Sequence, residues 1–178
     1  QCFPPERKKE HFDENGQPYL SWRVHILPFI DHQPLYDQFK LDEPWDSAHN
    51  KLLLGRMPKI YKTTDDASKT TIMGFVSELQ TTPTAALTLL VPSNGLRSGA
   101  RIRDVLDGTS NTICIVDAAP EIAVPWTQPK DLAFDPQKPL PTLGRPNEQF
   151  VMVGFLDGTV KRLGKDIPEE TWRALITR

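Results

Sequence analysis

The stretch QFVMVGFLDGTVKRL, residues 149–163, decides the fold class. Two runs rich in β-branched and aromatic residues flank the pair Asp157-Gly158. An Asp-Gly pair between such runs predicts a β-hairpin with a type I′ turn, whose two central residues both take positive φ. The same four letters, LDGT, occur earlier at residues 106–109, ahead of the apolar run TICIV. So little is shared on either side that these read as two turns and not as a repeat. Asp107, Gly108, Ser110 and Asn111 in the first, with Asp157 and Gly158 in the second, are turn chemistry. Asp, Ser and Asn bond their own backbone, and Gly supplies permissive φ.

Outward from the hairpin, TICIVDAA predicts a buried strand, and KIYKTT and TTIMGFVSEL predict short ones. RIRDVL suits a helical turn. DIPEETWRALITR predicts a short amphipathic helix capped by Asp166, with Pro168 in its first turn. Its acids Glu169 and Glu170 fall at the positive dipole end, and Arg173 and Arg178 toward the other. Near the start of the chain, Trp22, Ile26, Phe29 and Ile30 recur at helical spacing, with Ser21 as N-cap. Alternation of Leu20, Trp22, Val24 and Ile26 suits a strand as well; helix is favoured, with Pro28 against it. Strands and helices come in runs without strict alternation, so the class is α+β, with an antiparallel sheet, short helices and long proline-rich loops.

Composition narrows the function classes. At 178 residues the chain suits a single domain that buries its own core, and 38% hydrophobic with 25% charged residues is ordinary for a globular protein. A net charge of −2 gives no electrostatic reason to expect nucleic acid. Arg7-Lys8-Lys9 is flanked by Glu6 and Glu10 and reads as a solvated mixed-charge segment. No apolar run approaches the roughly 20 residues of a spanning helix. Proline is the outlier, with 17 residues, of which five lie between Pro125 and Pro141 and another follows at Pro146. Each removes a backbone donor and biases its predecessor away from helix.

LDEPWDSAHN, residues 41–50, gathers Asp42, Glu43, Asp46 and His49 around Trp45. Metal binding, acid/base chemistry and a helix start compete for it. Pro44 holds Glu43 extended, Asp46 or Ser47 suits the cap of a helix whose apolar face is Leu52 and Leu53, and Trp45 staples it to the core. Gly55, Arg56 and Pro58 end that helix. The stretch reads as a structural joint.

Other chemistry finds little support. His11, His25, His32 and His49 form no HxH or HExxH pair, and there is no CxxC to complete a metal site. DGTSN offers too few oxygens at the wrong spacing for calcium. There is no GxSxG, P-loop or GxGxxG. Cys114, inside TICIV, reads as a buried thiol; a bridge to Cys2 would close a long loop worth roughly 4–5 kcal/mol of loop-closure entropy. These residues predict no catalytic group, no metal and no cofactor.

Four blocks in order carry a resemblance: LSWRVHILPFIDHQPLYDQFKLDEPWDSAHNKLLLGRMPKIY, DGTSNTICIVDAA, VPWTQPKDLAFDPQKPLPTLG and FLDGTVKRL. Over nearly the whole chain, from about Phe3, they resemble a large paralogous family of planctomycete proteins of unknown function with pilin-like architecture, grouped among presumed bacterial solute-binding proteins. The resemblance implies an α+β head domain outside the cytoplasm, and an upstream prepilin-like anchoring helix ending shortly before a segment matched by Phe3-Pro4-Pro5. The missing initiator methionine at Gln1 agrees with that expectation. Three departures stand out. The family's closing His, nine residues, Asp-Gly signature has Asn147 in place of the His. Asp117 stands where relatives often carry Glu. Lys62 stands where they often carry Cys.

Two readings follow. The first is a non-catalytic structural or interaction protein, the head of a pilin-like, envelope-associated subunit, membrane-bound only through the upstream helix, with self-association or envelope proteins as partners. The second is an extracytoplasmic module binding sugar or peptide on the proline-rich loop 124–144, with Trp126 and Phe134 as the ligand surface. Against it, Trp126 better suits a pin holding that loop to the core. A hydrolase ranks third.

Overall fold

The computed structural model describes residues 11–14, 16–77 and 105–177. Prolines break the expected N-terminal helix into short turns. α1 (Trp22–His25) starts at Ser21, whose hydroxyl accepts from the Arg23 N–H. It gives way to a 3-10 helix over Leu27–Ile30 with Pro28 in its first turn, then to Asp31 at φ 61°, and α2 (Gln33–Tyr36) begins beyond. Pro28 offers no N–H to continue the α pattern, and its ring opposes the carbonyl four residues back. Leu20, Val24 and Leu27 still point inward, but Phe29 is 70% exposed.

The helix expected after Trp45 is a 3-10 helix over Asn50–Arg56. Its N-cap is His49, with no side-chain cap, so neither Asp46 nor Ser47 caps it, although the Ser47 hydroxyl accepts from the Asn50 N–H from two residues before that cap. Three residues per turn cannot turn both adjacent leucines inward; Leu53 is buried and Leu52 is 79% exposed. KIYKTT is not a strand. Lys59–Tyr61 forms a 3-10 turn that drops Tyr61 into the core, where its hydroxyl donates to the Arg23 carbonyl at 3.0 Å.

TTIMGFVSEL breaks into pieces with three different partners. β1 (Lys69–Thr70), β2 (Ile72–Met73) and β3 (Phe75–Ser77) precede β4 (Ile113–Asp117), β5 (Val124–Pro125), β6 (Leu132–Phe134), β7 (Phe150–Phe155) and β8 (Val160–Gly164). A four-stranded antiparallel sheet runs β2-β4-β7-β8, β1 pairs antiparallel with β5, and β3 pairs parallel with β6. RIRDVL lies mostly outside the described residues.

The 150–164 hairpin forms, but its turn is not type I′. Only Gly158 has positive φ, at 86°, and its N–H closes on the Phe155 carbonyl at 3.0 Å. Between β4 and β7 the strands approach closely: a Cβ on Gly154 would meet Ile115 Cγ1 at 2.7 Å. The register slips between Ile113 and Ile115, leaving Cys114 at the irregularity. α3 (Glu169–Ile176) is capped by Pro168, not Asp166, which instead lies beside Gly164.

Two cores result. Val151, Val153 and Phe155 of β7, with Ile113, Val116, Met73, Phe75 and Phe134, pack against Trp172 and Ile176 of α3. Leu20, Val24, Leu27, Leu35, Phe39, Leu53, Tyr61 and Trp126 form the second. Arg23, fully buried on α1, joins the helical layer to the strands. Its Nε and Nη2 donate to the Ile72 carbonyl at 2.8 and 2.5 Å, Nη1 to the Ser21 hydroxyl at 2.7 Å, and Nη2 to Asp131 Oδ1 at 3.0 Å. The same oxygen accepts from Trp22 Nε1 at 3.1 Å and the Gly74 N–H at 2.9 Å. Burial pushes the guanidinium pKa down while Asp131 opposes the shift.

Removing one partner of such a pair strands a buried charge, which costs about 3–5 kcal/mol. Asp131→Ala is therefore expected to lower the urea midpoint sharply, whereas Lys40→Ala, which removes only an exposed pair with Glu43, should shift it little. Equal shifts in the two variants would contradict this account.

Candidate functional site

The structure brings the two LDGT turns together at one end of the main sheet. The Asp157 N–H donates to the Thr109 carbonyl at 3.2 Å and the Leu156 N–H to the Thr112 carbonyl at 3.0 Å. Gly108 and Gly158 share φ 86°. In the first turn a 3-10 helix covers Thr109–Asn111, the Asn111 amide donates to the Asp107 carbonyl at 3.1 Å, and the Thr112 hydroxyl to the Gly108 carbonyl at 3.0 Å. In the second, Asp157 Oδ1 accepts from the Thr159 N–H at 2.8 Å and its hydroxyl at 2.7 Å. Those bonds, backbone first and with Ser110 adding another, hold the Asp157 carboxyl below its usual range. All six motif residues therefore sit in one exposed double turn, and their polar atoms chiefly hold backbone.

Trp126 and Phe134 line no surface. Trp126 is 0% and Phe134 1% exposed. The Trp126 indole N–H donates to the Leu54 carbonyl at 2.9 Å, Tyr61 stacks on its ring at 5.9 Å and Phe39 meets it edge-on at 5.7 Å. Phe134 meets Phe75 edge-on across the parallel β3/β6 pair. Large rings gain more from desolvation inside the core than on a loop, provided the indole N–H finds an acceptor. These aromatics anchor the proline-rich segment.

That segment is held from outside as well. The Arg173 guanidinium, bonded to Glu169, donates to the carbonyls of Asp135, Pro136 and Lys138. It acts as a clamp and not merely as a charge near the C-terminus of α3. Behind the clamp, Leu140, Leu143, Val151, Ile167 and Trp172 line an open groove of about 300 Å³, with Lys165 and Glu169 at its rim. Asp117 is bound by the Thr71 hydroxyl and lies 4.0 Å from Arg145.

The 41–50 stretch is a joint, and its centre is a residue the sequence did not single out. Asn50, fully buried, accepts from the Lys40 N–H at 3.0 Å and donates to the carbonyls of Lys40, Glu43 and Pro44 at 2.9–3.1 Å. His49 bonds the Gln38 carbonyl at 2.8 Å, and Trp45 packs against the second core. Only Ser47 three residues ahead, which takes the Asn50 N–H, hints at this in the sequence.

Cys114 is a free thiol donating to the Gly154 carbonyl at 3.3 Å, and burial pushes its pKa up to about 11. A thiol held protonated is a poor nucleophile. Among the described residues no three His, Cys, Asp or Glu side chains converge to hold a metal, and no helix is long and apolar enough to cross a membrane.

Short strands, packed turns and clamped loops define a small α+β module. The chain belongs to the family described as protein of unknown function (DUF1559), short name SBP_bac_10, whose profile matches residues 1–173. No curated protein and no solved structure matches it.

The Asp157 carboxyl has a sign that can be checked. Its pKa is depressed in the fold, so its contribution to stability is present above the unfolded value, about 3.9, and is lost as pH falls through the folded one. The stability gap between the native chain and Asp157→Asn should thus hold constant from pH 7 to 5 and shrink below pH 4, measured as urea midpoints. A gap unchanged at pH 2 would contradict the assignment.

Proposed function

We propose that this chain is the non-catalytic, extracytoplasmic head of a pilin-like, envelope-associated subunit, working through interaction surfaces. The observation that carries this reading is how its ionic groups are used. Asp131, Asp157 and Arg173 spend their polar atoms on backbone and on fixing loops. Such a use builds a rigid scaffold, whereas an acid/base or nucleophilic site keeps a reactive group aimed at open space. The family match supports the reading without supplying the role, because a fold does not fix a function.

The test is the natural full-length gene product, tagged at its C-terminus and followed in its own cells. It is expected in the envelope fraction, with the tag cleaved by protease added to intact cells. A tag found in the cytoplasmic fraction and protected from protease would overturn the reading.

One observation favours the second reading, a ligand-binding module. The apolar groove beside the Arg173 clamp is a place where a sugar ring or peptide side chain could lie. On that reading, screens of oligosaccharides and short peptides by thermal shift yield a hit that Leu140→Arg abolishes. A hit indifferent to Leu140→Arg, or no hit at all, speaks against the groove.

A further inference from the structure

Among the described residues β8 forms one edge of the four-stranded sheet. The hydrogen bonds that frame the hairpin fix which of its backbone groups face outward. The Phe155 N–H donates to the Thr159 carbonyl and the Lys165 N–H to the Gln149 carbonyl, and the β7/β8 register between them is unbroken. In an antiparallel pair such bonding residues alternate. Lys161 and Leu163 therefore turn their N–H and C=O groups toward β7, while Val160, Arg162 and Gly164 turn theirs away. Val160, Lys161 and Arg162 are all exposed, Val160 at 64%. Asp166 crowds the Gly164 end, which leaves Val160 and Arg162 as the rungs with no backbone partner among the described residues.

Basic residues on an edge strand ordinarily guard it against pairing. Here they are held back from the edge. Lys161 Nζ lies 4.6 Å from the centre of the Phe155 ring and the Arg162 guanidinium 4.9 Å from that of Phe150, both rings belonging to β7. The two cations thus sit over opposite faces of the sheet, because adjacent residues of a strand point to opposite sides. Among the described residues neither has a carboxylate within ion-pair distance. The nearest acids along the chain are Asp157, committed to Thr159, and Asp166 beside Gly164.

We propose that the outer edge of β8 is a docking strand for an extended acidic segment of another protein, which adds to the sheet as a fifth strand. The open rungs at Val160 and Arg162 bind its backbone, and two adjacent carboxylates reach Lys161 on one face and Arg162 on the other. A second copy of this chain does not suit the site, since β8 against β8 sets Lys and Arg beside Lys and Arg. The proposal rests on the reading of the chain as an interaction module. The two fail separately, because cellular location is read in cells and edge pairing with the isolated chain.

The probe is a fluorescent octapeptide of alternating Thr and Val with a central Glu-Asp pair, beside a counterpart carrying Lys-Lys there, titrated with this chain at low salt. Saturable binding of the acidic peptide alone is expected. Val160→Pro keeps every inward hydrogen bond of the hairpin and both cations but removes an outward donor. It should weaken binding at least about tenfold, as should K161E/R162E through charge. Circular dichroism identical to the native chain checks that each variant is folded. Binding of both peptides alike, binding untouched by Val160→Pro, no saturable binding, or dimerisation through β8 would each overturn the proposal.

Discussion

The Arg23 guanidinium is the point on which the two halves of this molecule depend. It leaves a four-residue helix, passes over the Trp22 ring at 4.8 Å and ends on the Ile72 carbonyl and the Asp131 carboxylate. One side chain thereby fixes α1, β2 and the approach to β6 relative to one another. A buried ion pair gains little net stability over a hydrophobic replacement, since desolvation offsets most of the Coulomb energy. Its consequence is geometric. The one Asp131 oxygen that holds Arg23 also holds the Trp22 indole and the Gly74 N–H, so moving any one member leaves buried polar atoms without partners.

The same economy recurs where regular structure is scarce. Short helices and two-residue strands satisfy few backbone groups by themselves, so side chains take up the rest. Asn50 serves four backbone groups of the 40–44 turn, Arg173 three carbonyls of the proline-rich segment, and Trp126 the Leu54 carbonyl. Prolines explain why so many are needed, since each forfeits an N–H and cuts an element short. Asn50, Arg173, Asp131 and Asp157 are thereby occupied. Among the described residues, the outer edge of β8 offers backbone groups without a partner strand, with Lys161 and Arg162 beside them.

Local readings succeeded where one segment decides its own conformation. The 150–164 hairpin, the β4 strand, the Ser21 cap and the helix after Pro168 were legible, because turn chemistry and period-2 or 3.6 patterning act over a few residues. They failed where a neighbour outvotes the segment. Leu52 and Phe29 look like core by spacing, yet 3-10 geometry and proline breaks turn them to solvent. Phe134 looks like a loop surface by composition, yet the core takes it, as it takes Trp126 in the pinning role, because burying a ring gains more than displaying it.

The class, α+β with an antiparallel hairpin near the C-terminal end, and the turns that bound it are written into short stretches of chain. Asp-Gly pairs, prolines and apolar alternation act through bonds and sterics within reach of each residue. Long-range packing alone brings the two LDGT turns together, carries Arg23 to Asp131 across 108 positions of chain, and sets β8 at the sheet's edge among the described residues. Each depends on which strands lie side by side, and strand order is set by the summed packing of the whole core, which no single stretch contains.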